Sequence, residues 1–325
     1  MHIVDITDAA DPRLDDVRDL NHSTRRPDLR SGAGLVIAEG VYVVGRMLSS
    51  RVTTRAVVGT GPRLERLRSD ASAEGWNVDE AAPDVPFYRV SRDVLSEVIG
   101  FASQRDIVAA ADRPEPLDVR EVIEGARTVV VLEGVNDAEN IGAIFRGVAA
   151  FGADAVLFGA ATGDPYYRRV VRVSMGHVLH VPHAQLSGTP TTWQRSLAEL
   201  EEAGFAVIAL TPQADETLAT AVARLGERAG GAVAGAAGGG AAVGDVAGGA
   251  ATVGDVAGGA ATGDGPALSC ADRIAFLVGA EGPGLTEHAM RAATSRAAIP
   301  MAPGTDSINV ATATTLALYE RFRET

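Results

Sequence analysis

Residues 128–146 read Thr128-Val-Val-Val-Leu-Glu-Gly-Val-Asn-Asp-Ala-Glu-Asn140-Ile-Gly-Ala-Ile-Phe-Arg146. The β-branched apolar run predicts a strand over 128–132, and the change to helical period after a polar turn predicts a helix over 140–151. The same alternation continues downstream, with strands expected at 155–158, 178–181 and 206–210 and helices at 166–175 and 192–203. Further on, strands at 274–278 and 297–299 alternate with helices at 286–293 and 309–322. Strands this apolar, each followed by a helix, specify a parallel sheet covered on both faces, a doubly wound α/β unit.

Upstream, residues 14–113 predict a helix, then strands at 34–37 and 54–58, a helix at 62–74, a strand at 87–90, a helix at 91–100 and a strand at 106–111. This is a second, smaller α/β unit. Pro114, Pro116 and the charges around them mark a linker. The organisation is therefore 1–113, a linker at 114–126, and 127–325. Within the last unit 14 of the 37 residues from Ala229 to Gly265 are glycine, and a Gly/Ala unit recurs with Asp245 and Asp255 ten residues apart. Side chains that small bury too little surface to offset backbone entropy, so an insertion without a core is expected.

A formal charge of −13, from 42 acids against 29 bases that are all arginine, excludes a general polyanion coat but says nothing of local patches. Between Arg25 and Arg68 nine arginines face three acids, and Arg25, Arg26 and Arg30 open that window. The window reads either as a solvated face or as a phosphate-binding surface. The single cysteine, Cys270, excludes an internal disulfide and a multi-cysteine metal site. The N-terminus has no basic segment leading into an apolar stretch, and no run of 18 strongly apolar residues occurs, so a cytoplasmic protein without a membrane span is expected.

Three polar junctions carry the chemistry. In the first, Asn140 and Arg146 flank Gly142, and Arg146 sits among Ile141, Ile144, Phe145 and Val148, where a guanidinium needs a partner: a ligand, or Glu281 or Glu139. The second, Gly279-Ala280-Glu281-Gly282-Pro283-Gly284-Leu285, follows a strand but matches neither G-x-G-x-x-G nor the P-loop with its lysine. It is either a plain turn or a place where backbone N–H groups face a ligand. The third runs from Ile299-Pro300-Met301 to Ser307-Ile308-Asn309, whose polar residues also suit a helix cap. His177, His180 and His183 suggest a metal site, but on the strand expected there a spacing of three puts neighbours on opposite faces, so no metal is expected.

Taken in order, Asn140-x-Gly142-x-x-x-Arg146, Gly279-x-Glu281-x-x-Gly284-Leu285 and Ile299-Pro300-Met301 with Ser307-Ile308-Asn309-Val310-Ala311 resemble the three signature motifs of the SpoU/TrmH family of RNA ribose 2'-O-methyltransferases. The resemblance spans about residues 127–320 apart from the insertion, and Arg172-Val173-Ser174-Met175-Gly176 is similar to another family segment. More weakly, Ala38-Glu39-Gly40 and Arg105-Asp106-Ile107-Val108-Ala109 resemble the ribosomal-protein-like substrate-recognition domain that many members carry in front. Two differences stand out: Ala138 replaces a common proline, and Ser-Ile-Asn-Val-Ala replaces Ser-Leu-Asn-Val-Ser.

The resemblance implies a trefoil-knotted SPOUT domain, S-adenosylmethionine as methyl donor, RNA as substrate (ribosomal favoured over transfer RNA), and a homodimer with its active site near the interface. It implies Arg146 as catalytic residue with Asn140, Glu281, Ser307 and Asn309 ordering the site. It also implies Gly279, Ile299, Ile308, Leu210, Thr211 and Met301 as cofactor contacts, and Arg25, Arg26, Arg30 and Arg172 as RNA contacts. The competing readings are a non-catalytic RNA-binding or assembly protein on the same fold, and a nucleotide-dependent oxidoreductase, which the missing glycine fingerprint disfavours.

Overall fold

In the computed structural model, which describes residues 1–22, 34–214, 216–224 and 273–323, the N-terminal unit is a five-stranded sheet. Its strands are β1 (His2–Asp5), β2 (Val36–Glu39), β3 (Thr54–Gly59), β4 (Pro86–Arg89) and β5 (Ile107–Ala111), and its helices are α1 (Val41–Leu48), α2 (Gly61–Ala73), α3 (Val78–Ala81) and α4 (Arg92–Ile99). The order is β1-β4-β3-β5-β2, with β5 antiparallel to both neighbours. Three elements here escaped periodicity: β1, α1 and the single turn α3. β1 is four residues long and mostly exposed, and α1 contains Val41, Val43, Val44 and Gly45, all weak helix formers. Burial of Val43, Val44, Met47 and Leu48 fixes α1 as a helix despite that composition. The helix expected from Leu14 is a short 3-10 turn, Pro12–Val17.

The expected linker becomes α5 (Val119–Ile123) and leads into β6 (Thr128–Glu133), α6 (Ala138–Phe151), β7 (Ala155–Phe158), α7 (Arg168–Val173), β8 (His183–Gln185), α8 (Leu197–Glu202), β9 (Phe205–Leu210) and β10 (Glu216–Thr217). After the insertion come β11 (Arg273–Gly279), α9 (Glu287–Ala292), β12 (Ser295–Ala298) and α10 (Val310–Phe322). The seven strands run in parallel in the order β10-β12-β9-β11-β6-β7-β8. Every residue of β6 is buried, as a central strand of a two-sided sheet requires. The strand expected at 178–181 is corrected: His177–Leu179 is a 3-10 turn and the strand begins at His183. The Gly/Ala insertion, Cys270, Arg25, Arg26 and Arg30 lie outside the described residues.

The two units share one core, in which Val36, Val43 and Met47 of the first join Val170, Val171 and Leu179 of the second. Polar contacts pin the junction. Arg168 Nη1 donates to Glu39 Oε1 at 2.6 Å with both side chains largely buried, and Arg113 donates through both terminal nitrogens to Asp164 at 2.7 and 2.8 Å. Arg51 Nη2 also donates to the Tyr166 hydroxyl at 3.0 Å. Among the described residues, the arginines of the arginine-rich window are largely engaged within the molecule. Arg55 pairs with Asp16 and Asp112, Arg66 with Asp70, and Arg68 with Asp79 and Glu65. Most of these carboxylates lie outside the window, so counting charge within it leaves out the partners of its described arginines.

Candidate ligand cavity and its polar bridge

β9, β11 and β12 are neighbours, so their carboxyl ends deliver residues 210–213, 279–285 and 299–309 to one edge of the sheet, the usual place for a ligand in a parallel α/β fold. These segments enclose a cavity of about 920 Å³. All six residues singled out above as cofactor contacts line it: Leu210, Thr211, Gly279, Ile299, Met301 and Ile308. Glu281, Ser307 and Asn309 line it as well.

Local sequence explains the shape. Gly279 ends β11, and a Cβ there would lie 2.3 Å from the carbonyl carbon of Gly284 and 2.4 Å from the Leu285 nitrogen. No other residue lets the loop fold back so closely. The loop closes through Gly284 N–H donating to the Ala280 carbonyl at 3.0 Å, with Gly282 and Gly284 both at positive φ.

Asn309 ties the three junctions together. As N-cap of α10 its Oδ1 accepts from the N–H groups of Ala311 and Thr312, at 2.9 and 3.1 Å. Its Nδ2 donates to Asn140 Oδ1 at 2.8 Å and to Glu281 Oε1 at 2.9 Å. Both ends of the amide are used, so the side chain has one orientation. Asn140 is 7% exposed and comes from the first turn of α6, where Asp137 caps the N–H groups of Glu139 and Asn140. Ala138 occupies the first helical position, where proline is favoured, and the Asp137 cap fixes the same start without it.

Arg146 is exposed, which corrects the expectation of an arginine held in an apolar stretch. The helical period turns Ile141, Ile144, Phe145 and Val148 inward and Arg146 outward. It takes neither ion pair available to it: Glu139 pairs with Arg169 and Glu281 accepts from Asn309. It lies close to Arg46 and His177, and its positive charge acts on both. Arg172 is half-buried and lines a separate cavity of about 280 Å³ with Glu39 and Arg105, away from the first. The histidines do not assemble: among the described residues there is no group of three metal-ligating side chains. His183 is packed among the rings of Phe145, Phe158 and Tyr166, and burial pulls it down to about 4.

Sequence reasoning missed Glu133. At the end of β6, 5% exposed, it accepts from Trp193 Nε1 at 2.9 Å, Thr286 N at 2.8 Å and Thr286 Oγ1 at 2.9 Å. It therefore anchors the far end of the loop that Gly279 begins. A glutamate after an apolar strand gave no sequence signal, because its donors come from residues 60 and 153 positions away.

The lining also limits the ligand. Apolar Leu210, Leu285, Met290, Ile299, Met301 and Ile308 alternate with backbone of the two loops, and the charged lining residues are Glu281, Glu287 and Asp306. No arginine or histidine lines this cavity among the described residues. A triphosphate or pyrophosphate has no counter-charge here, whereas a largely apolar ligand that carries a positive charge does.

Comparison with known proteins agrees with this geometry. The sequence profile of the SpoU rRNA Methylase family matches residues 127–234 and 246–319. An uncharacterised tRNA/rRNA methyltransferase of Mycobacterium tuberculosis is 46% identical over 325 residues, covering 99% of this chain and 93% of its own length. A 23S rRNA (guanosine-2'-O-)-methyltransferase of Ralstonia nicotianae is 27% identical, covering 80% of this chain and 86% of its own length. The fold is shared with an AdoMet-bound rRNA methyltransferase from Sinorhizobium meliloti at TM-score 0.65 and 22% identity, covering 99% of this chain and 98% of that one.

Proposed function

Because the chain belongs to the SpoU rRNA methylase family, we propose that it transfers a methyl group from S-adenosylmethionine to a ribose 2'-hydroxyl of structured RNA, with ribosomal RNA favoured over transfer RNA. The observation that carries this reading is the convergence of Asn140, Glu281 and Asn309 on the rim of a cavity that contains all six expected cofactor contacts. The cavity suits S-adenosylmethionine by its own chemistry: apolar walls for an adenine, exposed loop backbone for polar edges, and carboxylates in place of a phosphate-binding arginine. When bound, the cofactor supplies a methyl group made electrophilic by a sulfonium.

The protein's task is positioning and charge. As the ribose oxygen would bond to the methyl carbon, the carbon–sulfur bond would break in line with its electron pair leaving on sulfur as a neutral thioether, and the hydroxyl proton would pass to solvent water while negative charge develops on oxygen. A guanidinium keeps its proton at neutral pH, so Arg146 serves as a cation that orients the ribose phosphate and stabilises the developing alkoxide. Asn309 fixes Glu281 relative to Asn140, and Ser307 precedes it in the same loop. RNA fits as substrate because the reacting hydroxyl is absent from DNA.

We further infer that the segments after β9, β11 and β12 interlace as the trefoil knot of the SPOUT fold, that residues 1–113 select the RNA, and that the active species is a homodimer. Leu316 and Tyr319, exposed at 39% and 54% on one face of α10, are the side chains a second copy is expected to cover. Calorimetric titration with S-adenosylmethionine tests the reading. Wild-type protein is expected to bind it and Asn309→Ala to bind about tenfold more weakly, through loss of the cap and of the bridge. A protein that binds RNA but not S-adenosylmethionine would instead be a non-catalytic relative on the same fold.

A further inference from the structure

Arg46 and Arg146 belong to different units and flank one turn. α1 and α6 both pack on the turn at 175–180. Arg46 Nη1 donates to the Met175 carbonyl at 2.5 Å, and the Arg46 carbonyl accepts from His180 Nε2 at 2.8 Å. A Cβ on Gly176 would lie 3.1 Å from that of Arg46, so α1 rests directly on the turn. His177 in the same turn is drawn down to about 4, first by burial and then by Arg46, His180 and Arg146. It is therefore neutral at physiological pH, and the two guanidiniums carry the positive charge of this corner.

Neither arginine forms an ion pair with a described carboxylate, although the chain has 42 acids against 29 bases and pairs Arg55, Arg66 and Arg68 with carboxylates of its own. Glu74 is the carboxylate whose charge acts on Arg46, without an ion pair between them, and Arg146 acts on it in the opposite sense. Two cations near each other repel, and an anion entering between them adds to the partial compensation from Glu74. One helical turn before Arg46, on the same side of α1, Tyr42 is 53% exposed, its hydroxyl engaged by Arg66. An exposed ring beside paired arginines is the chemistry that holds an unpaired nucleotide, base on ring and phosphate on guanidinium.

We propose that Tyr42, Arg46 and Arg146 form one RNA-binding surface across both units, in which the arginines hold a phosphate next to the reacting ribose and Tyr42 stacks on a neighbouring unpaired base. This rests on the methyltransferase reading and deepens it. The N-terminal unit touches the substrate within reach of the reacting group, because the buried Arg168–Glu39 pair and the shared core hold α1 against the second unit.

Fluorescence anisotropy with a labelled oligouridine of about twelve nucleotides, read between about 50 and 200 mM salt, tests the surface. Arg46→Gln retains a donor for the Met175 carbonyl while removing the charge. It is expected to bind about tenfold more weakly, with the salt slope reduced by about 0.7 and the melting temperature unchanged. Tyr42→Ala is expected to lose about five- to tenfold, and Tyr42→Phe to regain the wild-type affinity. In both variants S-adenosylmethionine affinity, measured separately by calorimetry, stays at the wild-type value. Wild-type affinity and salt slope in Arg46→Gln and Tyr42→Ala overturn the surface and leave the methyltransferase reading intact. A wild-type protein with no measurable affinity for the oligomer also overturns it, whereas failure to bind S-adenosylmethionine overturns the underlying reading instead.

Discussion

The loops at the carboxyl ends of β9, β11 and β12 and the arginine-rich stretch of the N-terminal unit are both polar, and they use polarity in opposite ways. In the loops, Asn309 joins Asn140 and Glu281 at the rim of a shared cavity. Among the described residues of the stretch, Arg55, Arg66 and Arg68 are closed off by carboxylates of their own chain, whereas Arg46 and Arg51 have no carboxylate ion pair. Functional polarity is marked by groups held in place yet left with capacity, and not by the density of charge along the sequence.

Substitutions sharpen that contrast, beginning with the loop. Gly279→Ala places a methyl group against the Gly284 backbone, where no flexible side chain can give way. It is expected to cost a hundredfold or more, roughly, in S-adenosylmethionine affinity and about 2–3 kcal/mol of stability, measured by calorimetry and by urea unfolding. Glu133→Ala leaves the buried Trp193 indole N–H and the part-buried Thr286 donors without this acceptor and is expected to cost about 1–3 kcal/mol in the same unfolding experiment. If Glu133→Ala unfolds at the wild-type urea concentration, the loop is not anchored as described.

Acid is expected to act through His183. Its pKa in the fold, about 4, lies below the ordinary value of 6.5, so the unfolded chain binds the extra proton between those two values. Stability contributed by the neutral ring is complete above 6.5 and is lost as pH falls toward 4, by on the order of 2–3 kcal/mol in urea midpoints converted to free energy. His177, also drawn down to about 4, adds to the loss over the same window, so His183→Phe, which keeps the aromatic packing, is expected to remove only the part due to His183. At the small end, Arg55→Ala removes only exposed pairs and is expected to change stability by less than about 1 kcal/mol and oligouridine affinity by less than about twofold. A large loss of affinity there would erase the distinction between the two regions.

The second unit was legible where local pattern and tertiary role agree. β6, β7, β9 and β11 are apolar because they are central; the second and third junctions are polar where they end in the cavity, and the first reaches it through the Asn140–Asn309 hydrogen bond. Legibility failed where long-range contacts decide. Val41–Leu48 is a helix because the core on both sides demands it, and His177–Leu179 turns as a 3-10 segment because it carries the contact between α1 and α6. Charge misled for the same reason: the acids that close the arginine window come from sequence positions such as Asp16, Asp79 and Asp112. Of the site, every expected cofactor contact falls on one cavity, while the outward direction of Arg146 and the anchoring role of Glu133 required the fold.

The most direct measurement is transfer of a radiolabelled methyl group from S-adenosylmethionine to ribosomal RNA of cells lacking the gene, followed by alkaline hydrolysis, with wild-type protein and Arg146→Ala side by side. The expected result is label in alkali-resistant dinucleotides, which a 2'-O-methyl group produces, at a rate at least about a hundredfold lower for Arg146→Ala and with equal S-adenosylmethionine affinity for both proteins. Label confined to alkali-sensitive nucleotides, or equal rates for the two proteins, would contradict it.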